Sequence, residues 1–228
     1  MRQNEAAKAS QLFVELLRLS LAPQKGQMLS RAPADCEWRK LYDECKRHSL
    51  VGMMYEAVAC LPPVQRPPRD VLLPWYALTE RIKQQNALLN VEAARVCTQL
   101  ERDGLPNVLL KGQGVALLYP HPELRMPGDI DLWIAVERSA IMRYVHSKGW
   151  HVHTTLLHTE FLMSGVTEVE AHFMPSYRYN PLKHWQMCRL FDSVEDVQLQ
   201  HKVSLESGGN TLVSVPTAAF NRVYLLAH

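Results

Sequence analysis

The stretch Gly128–Ile134, with the sequence GDIDLWI, decides the fold class of the middle of this chain. Its apolar residues alternate with Asp129 and Asp131, which is the period-two pattern of a β-strand. The two carboxylates therefore share one face of the strand, and Trp133 continues that face. Two like charges about 4 Å apart repel by roughly 4 kcal/mol at an effective dielectric of about 20. A divalent cation, Mg²⁺ or else Mn²⁺, would offset this repulsion, and without it we expect removal of one acid to raise the melting temperature.

Length and composition describe an ordinary globular protein. The chain has 228 residues, a net charge of +2 and 47% hydrophobic residues, which predicts no strong pull towards nucleic acid or a membrane. No apolar run reaches the roughly 20 residues that span a bilayer, and the amino terminus lacks the apolar part of a secretory signal. The five cysteines form no CxxC pair, which favours reduced thiols. We therefore expect a cytoplasmic protein without a membrane partner.

The residues before position 105 predict a helical amino-terminal region, 1–104. Apolar residues recur at helical spacing in three segments, 6–21, 35–59 and Asp70 to Leu100, and Gly104 is suited to end the third helix. A proline-rich stretch near 61–69 cannot continue a helix, so we expect an extended linker there.

Residues 105–215 predict an α/β core with a small mixed sheet flanked by helices, which makes the whole chain α+β. The expected strands are 108–110, 129–136, 150–155, 160–164, 167–173, 203–205 and 212–215, with hairpin turns at Gly165 and Gly208–Asn210. Helices are expected at 115–119 and at 139–147, and Gly149 is suited to stop the second of them. A helix begins near Pro216, and because its apolar pattern is still running at the last residue, we expect 216–228 to be the start of a truncated helical region.

The turn Lys111–Gly114, with the sequence KGQG, follows a short buried strand. Its glycines allow close backbone approach, Lys111 adds a positive charge, and a following helix would offer free N–H groups to a phosphate. The spacing is not that of a P-loop, and a simple strand–helix connection is the alternative interpretation.

A third acidic element lies in the stretch Thr167–Phe173. Glu168, Glu170 and His172 share one strand face, so one of these acids could supply a third oxygen ligand beside the Asp pair; a solvent-facing strand is the alternative. We expect no zinc site among the other histidines of this region, which are His146, His151, His153 and His158.

These elements occur in a fixed order along the chain. The ordered motifs are Leu109–Gly112, Leu118–Pro122, Arg125, Gly128–Leu132 and Glu170–His172. The set resembles the nucleotidyltransferase superfamily and, more closely, the bacterial family of uncharacterised nucleotidyltransferases, with its LKG…YP.P..R…DIDLW…E.H signature. The resemblance implies a fold with a small mixed sheet and a nucleoside triphosphate (NTP) as substrate.

The resemblance also implies a metal centre. Asp129 and Asp131 would hold a Mg²⁺ ion that bridges the triphosphate, and a second ion would lie between them and Glu170. All three would then be both catalytic residues and metal ligands. Glu170, or a metal-bound hydroxide, would take the proton of the acceptor.

Four further residues acquire roles in nucleotide binding from the resemblance. Lys111 and the Gly112 amide would cradle the leaving pyrophosphate, and Arg125 would neutralise charge on the transferred group. Gln113 occupies a position where many relatives of the wider superfamily have Ser or Gly beside the γ-phosphate. The stretch from Gly112 to Asp129 is also longer than is common, which points to a loop shaped for the acceptor.

The expected function is Mg²⁺-dependent transfer of a nucleoside monophosphate from an NTP to a hydroxyl of a sugar, an RNA or a protein. One alternative is a toxin-like nucleotidyltransferase that acts on RNA or protein. Another is a nucleotide-binding scaffold without turnover, which the presence of Gln113 in place of a serine slightly favours. The near-neutral charge disfavours an RNA-binding module.

Overall fold

The computed structural model describes residues 2–163, 167–205 and 211–227. Its helices and strands, in chain order, are α1 (Arg2–Ser20), α2 (Asp35–Arg47), α3 (Val51–Cys60), α4 (Arg69–Arg102), β1 (Asn107–Leu109), α5 (Lys111–Ala116), β2 (Ile130–Ile134), α6 (Arg138–Ser147), β3 (Val152–Thr154), β4 (His158–Leu162), β5 (Glu168–His172), α7 (Pro181–Gln200), β6 (Lys202–Ser204), β7 (Leu212–Ser214) and α8 (Ala218–Ala227). The expected α+β class, with a helical amino-terminal region and a small mixed sheet, is confirmed. Within the described ranges no helix has both the length and the apolarity to cross a membrane.

The chain divides into two compact units. The first comprises residues 1–86 and 118–127, and the second comprises 87–117 and 128–228. The division between the units therefore falls within α4. The sequence pattern instead predicts a domain boundary after that helix, at residue 104.

The first unit is helical, and its core joins α1, α2, α3 and the start of α4. Trp38 and Trp75 lie at its centre with their rings 6.4 Å apart, edge to face. The single helix expected at 35–59 is wrong, because α2 ends at Arg47 and α3 begins at Val51. Ser49 between them has a φ of 58°, a left-handed conformation that ends a right-handed helix.

The proline-rich stretch is packed within the first unit and is not an extended linker. It forms a short 3-10 turn at Pro63–Gln65. The buried Gln65 amide accepts a hydrogen bond from the Leu29 backbone N–H at 2.8 Å and donates one to the Leu29 carbonyl at 2.9 Å. This two-way contact anchors the stretch to a loop 36 residues away in sequence.

The second unit is built on a five-stranded sheet with the order β1-β2-β5-β4-β3. Only the central pair, β2 and β5, is parallel, and the other three pairs are antiparallel. A separate two-stranded sheet pairs β6 with β7. The turns expected at Gly165 and Gly208–Asn210 lie outside the described residues.

The two faces of β2 enter different cores, as its alternation predicts. Ile130, Leu132 and Ile134 are buried in a core shared with α4 and α6. On the other face, Trp133 packs between α7 and α8, with its ring 6.4 Å from that of Phe191 and 6.1 Å from that of Phe220. The acidic face is thus covered beyond Asp131 by aromatic side chains.

Glycine residues follow two helices where the sequence predicts their ends, whereas the limits of a third helix differ from the prediction. Gly104 and Gly149 end their helices with φ angles of 83° and 67°, as glycine after a helix commonly does. Asp70 lies in the first turn of α4, one residue inside the helix. The helix expected at 115–119 instead begins at Lys111 and ends at Ala116.

Candidate metal and nucleotide site

Three carboxylates meet on one face of the sheet in the second unit. The parallel pairing of β2 with β5 places Asp131 opposite Glu170, and Asp129 immediately precedes β2. One carboxylate oxygen from each of the three lies within 4.8 Å of the others. Asp129 is exposed, Glu170 is half-buried and Asp131 is 5% exposed, so the cluster opens to solvent at one end.

Asp131 is held by two basic side chains. Lys111 Nζ donates to its Oδ1 at 3.2 Å, and His172 Nε2 donates to the same oxygen at 2.9 Å. Burial alone would raise the pKa of Asp131, but the hydrogen bond from His172 and the charge of Lys111 lower it below the usual value. Asp131 is therefore ionised at neutral pH, a state that a metal ligand requires.

Glu170 has the opposite electrostatic character. Burial, then the negative charges of Asp131 and Asp129, raise its pKa to about 7. Near neutral pH this carboxyl group is therefore partly protonated, and a nearby positive charge would favour its ionised form. The cluster is therefore short of positive charge, and a divalent cation would supply it.

The Lys111–Gly112 turn lies beside the start of β2. The Leu110 N–H donates to the carbonyl of Asp131 at 2.9 Å, which fixes the turn to the strand. Lys111 and Gly112 have φ angles of 33° and 38°, and such angles favour glycine. A Cβ at Gly112 would lie 3.5 Å from the carbonyl oxygen of Asp129, so this glycine is needed for its conformation more than for its size. Helix α5 has only six residues, so the dipole at its amino terminus is small. The side chain of Lys111 is therefore the main source of positive charge at this turn.

Gln113 and Arg125 are placed differently from the carboxylates. Gln113 is buried and its amide nitrogen donates to the side chain of Asn90 on α4. Arg125 belongs to the first unit, where its guanidinium donates to the Met126 carbonyl at 3.1 Å. The nucleotide-binding roles expected for these two residues remain predictions.

Two residues near the carboxylates received no role from the sequence. His172 Nε2 lies 3.4 Å from Glu170 Oε2. The alternation of β5, which puts His172 on the same face as Glu170, is the sequence pattern that could have indicated this proximity. Tyr224 on α8 is fully buried, and burial followed by the charges of Asp131 and Glu170 raises the pKa of its hydroxyl. No local pattern around Tyr224 points to this site, because its position depends on how α8 packs.

A cavity of about 850 Å³ lies where β2 and β5 end. Its aromatic walls are Trp133, Phe173, Tyr177 and Phe191, and its charged lining comprises Glu137, Arg138, Asp192 and Glu195. Trp133 follows Asp131 by two residues on the same strand face, which is about 7 Å along a strand. The aromatic walls favour a planar ligand group, and three acidic side chains against one arginine favour a cationic group over an anionic one.

The chain matches the model of the family described as uncharacterised nucleotidyltransferase over residues 34–228. The match includes all of the second unit and most of the first. The chain therefore belongs to that family, and the expected membership of the uncharacterised nucleotidyltransferases is confirmed. No curated protein matches the chain.

Proposed function

From its membership of the uncharacterised nucleotidyltransferase family, we propose that the chain transfers a nucleoside monophosphate from an NTP to a hydroxyl acceptor and releases pyrophosphate, with Mg²⁺ or Mn²⁺ as cofactor. The observation that carries the proposal is the meeting of Asp129, Asp131 and Glu170 within 4.8 Å, beside the ammonium group of Lys111. Oxygen atoms that suit a hard cation thus lie next to a positive charge that suits a phosphate, and this arrangement supports the proposal.

The donor set fits Mg²⁺. All three groups offer carboxylate oxygens, which hard cations prefer, and the exposed Asp129 leaves room for water or phosphate ligands. Asp131 is held ionised by Lys111 and His172, so it is ready to bind without losing a proton. When bound, the cation would neutralise the triphosphate and stabilise the leaving oxygen.

Lys111 has a second role in the proposal. Its Nζ lies 3.2 Å from Asp131 Oδ1, and its side chain is 22% exposed, so it can contact both the strand and a ligand. We assign it, with the Gly112 amide, to the departing pyrophosphate, where a positive charge is most effective. Gln113 and Arg125 keep the nucleotide-binding roles that the family resemblance implies for them.

Glu170 is the residue proposed to take the acceptor's proton. Without metal, burial and the charges of Asp131 and Asp129 raise its pKa to about 7. A bound cation would lower this pKa, so that Glu170 would be ionised and able to accept a proton at neutral pH. It is half-buried and adjacent to the carboxylate pair, so an acceptor hydroxyl placed there would lie near the α-phosphate of a bound nucleotide.

The proposal is tested with the whole chain, four NTPs and Mg²⁺, by following both the melting temperature and the release of pyrophosphate. A nucleotide at 100 times its dissociation constant stabilises by about 2.7 kcal/mol, or roughly 5–10 °C for a protein of this size. We expect this shift to require Mg²⁺ and to disappear in Asp129→Asn. Pyrophosphate release should be lost in Glu170→Gln.

Glu168→Gln is the matched control, because Glu168 is an exposed acid on the same strand, two residues before Glu170. It should leave both readings unchanged. Unchanged nucleotide binding in Asp129→Asn would refute the proposed site. Mg²⁺-dependent binding without pyrophosphate release, across a panel of sugar, RNA and protein acceptors, would instead identify a nucleotide-binding scaffold.

A further inference from the structure

Two histidines and one carboxylate form a second cluster in the second unit. The pairing of β4 with β5 places His158 opposite His172, and Glu170 precedes His172 by two residues on the same face. One ligand atom from each of the three lies within 4.8 Å of the others. The side chains of His158, His172 and Glu170 are 18%, 7% and 23% exposed, so the cluster is sheltered from solvent.

One separation in this cluster is that of two ligands on a single metal ion. His172 Nε2 lies 3.4 Å from Glu170 Oε2. Two ligands that each lie about 2.1 Å from a tetrahedral metal are separated by about 3.4 Å. His172 Nε2 also lies 2.9 Å from Asp131 Oδ1. A cation that replaced the imidazole proton would therefore keep Asp131 as an adjacent negative charge.

A carboxylate next to this cluster contacts one of its imidazoles. His158 Nε2 contacts Glu160 Oε1 at 2.8 Å. An imidazole that donates from one nitrogen to a carboxylate has its ring orientation fixed and presents a lone pair on the other nitrogen, as metal-binding histidines commonly do. Glu160 would therefore orient His158 for a metal.

We propose that His158, His172 and Glu170 form a second cation site that takes a borderline metal such as Zn²⁺ in preference to Mg²⁺. Imidazole nitrogen suits Zn²⁺, whereas Mg²⁺ prefers oxygen ligands and retains its water. The site shares Glu170 with the carboxylate cluster but requires neither a nucleotide nor nucleotidyl transfer. It reverses the expectation that His158 takes no part in a zinc site.

The test is calorimetric titration of the metal-free whole chain with Zn²⁺, without nucleotide, and titration with Co²⁺ to record the visible absorption that imidazole ligands intensify. His158→Ala should lower the Zn²⁺ affinity by more than about 100-fold, since loss of a residue that only hydrogen-bonds to a metal ligand already costs 10–100-fold. His153→Ala is the matched control, because the exposed His153 also contacts Glu160, at 3.1 Å, but lies outside the cluster. It should change Zn²⁺ affinity by less than about 10-fold.

Asp129→Asn separates this site from the proposed magnesium site. We expect it to lose Mg²⁺-dependent nucleotide binding and to retain Zn²⁺ binding, while His158→Ala does the reverse. Melting curves establish that each variant folds, and His158→Gln, which keeps a polar side chain of similar bulk, replaces His158→Ala if that variant does not.

Three results would overturn the proposal: unchanged Zn²⁺ affinity in the folded His158 variants, an equal loss in His153→Ala, or a loss in Asp129→Asn that matches the loss in His158→Ala. If Zn²⁺ binding depends on His158 but no nucleotide binds, the proposed Zn²⁺ site is supported. Only the proposed nucleotidyl transfer is then refuted.

Discussion

Asp129→Asn and Asp131→Asn should have different effects on the metal-free protein. Repulsion between the two acids, considered alone, predicts that either change raises the melting temperature. Asp131, however, is 5% exposed and accepts hydrogen bonds from Lys111 at 3.2 Å and His172 at 2.9 Å. Replacement by asparagine leaves both basic groups facing a neutral amide, so the expectation for this residue is revised from stabilisation to destabilisation.

The size of the Asp131 effect follows from those two contacts. A hydrogen bond to a charged group contributes about 1.5–3 kcal/mol, and removal of one partner of a buried ion pair costs about 3–5 kcal/mol. Asparagine keeps one oxygen as an acceptor, and Lys111 is 22% exposed, so we expect about 2 kcal/mol. That corresponds to a fall of roughly 4–8 °C in the melting temperature.

Asp129 is exposed, and its charge contributes to the raised pKa of Glu170. Its replacement by asparagine should change stability by less than about 0.5 kcal/mol, or raise it slightly. The assay is thermal unfolding of both variants with a chelator present, above pH 7 so that Glu170 is ionised. Equal shifts for the two variants, or a stabilised Asp131→Asn, would refute the ion-pair argument.

Three further predictions concern stability. The folded-state pKa of Glu170 is raised to about 7 from an ordinary value of 4.5, so without metal the stability of the wild type should fall as the pH rises from 4.5 through 7. Melting curves of Glu170→Gln, recorded over the same pH range, should lack this fall. An unchanged slope in the variant would contradict this. Gly112→Ala should cost about 1–3 kcal/mol because of its φ of 38° and should weaken Mg²⁺·NTP binding, whereas Gly104→Ala, at φ 83°, should lower stability alone. Equal nucleotide affinity in both glycine variants would count against a role for the turn. Gly52→Ala should cost more than about 2 kcal/mol in chemical denaturation, because its Cβ would lie 2.4 Å from the Leu124 carbonyl oxygen; a wild-type denaturation midpoint would show that the backbone yields.

Strand β2, which carries Asp131, was predictable because its information is local. Residues 130–134 alternate strictly between two environments, and the structure places the apolar set in one core and Trp133 in another. Glycines after helices are equally local, and Gly104 and Gly149 ended their helices as expected. The break between α2 and α3 was not predictable in this way, because the left-handed residue is Ser49, which has no strong preference for that conformation.

The candidate site was only partly predictable because it depends on pairing between distant strands. Alternation places Glu168, Glu170 and His172 on one face, but the parallel register of β2 with β5 selects Glu170 as the partner of Asp131. The role of His172 as a donor to Asp131 follows from the same register. Tyr224 enters the neighbourhood through the packing of α8, which no local pattern describes.

The most direct test of the central proposal is anomalous diffraction from crystals of the chain grown with Mn²⁺ and a non-hydrolysable NTP. Mn²⁺ substitutes for Mg²⁺ at oxygen sites and gives a signal that locates the ion. We predict a peak about 2.1 Å from oxygens of Asp129 and Asp131, within reach of Glu170, with the triphosphate bound to the same ion and close to Lys111. A triphosphate bound elsewhere, or Mn²⁺ found at His158 and His172 with none at the aspartates, would contradict the proposal.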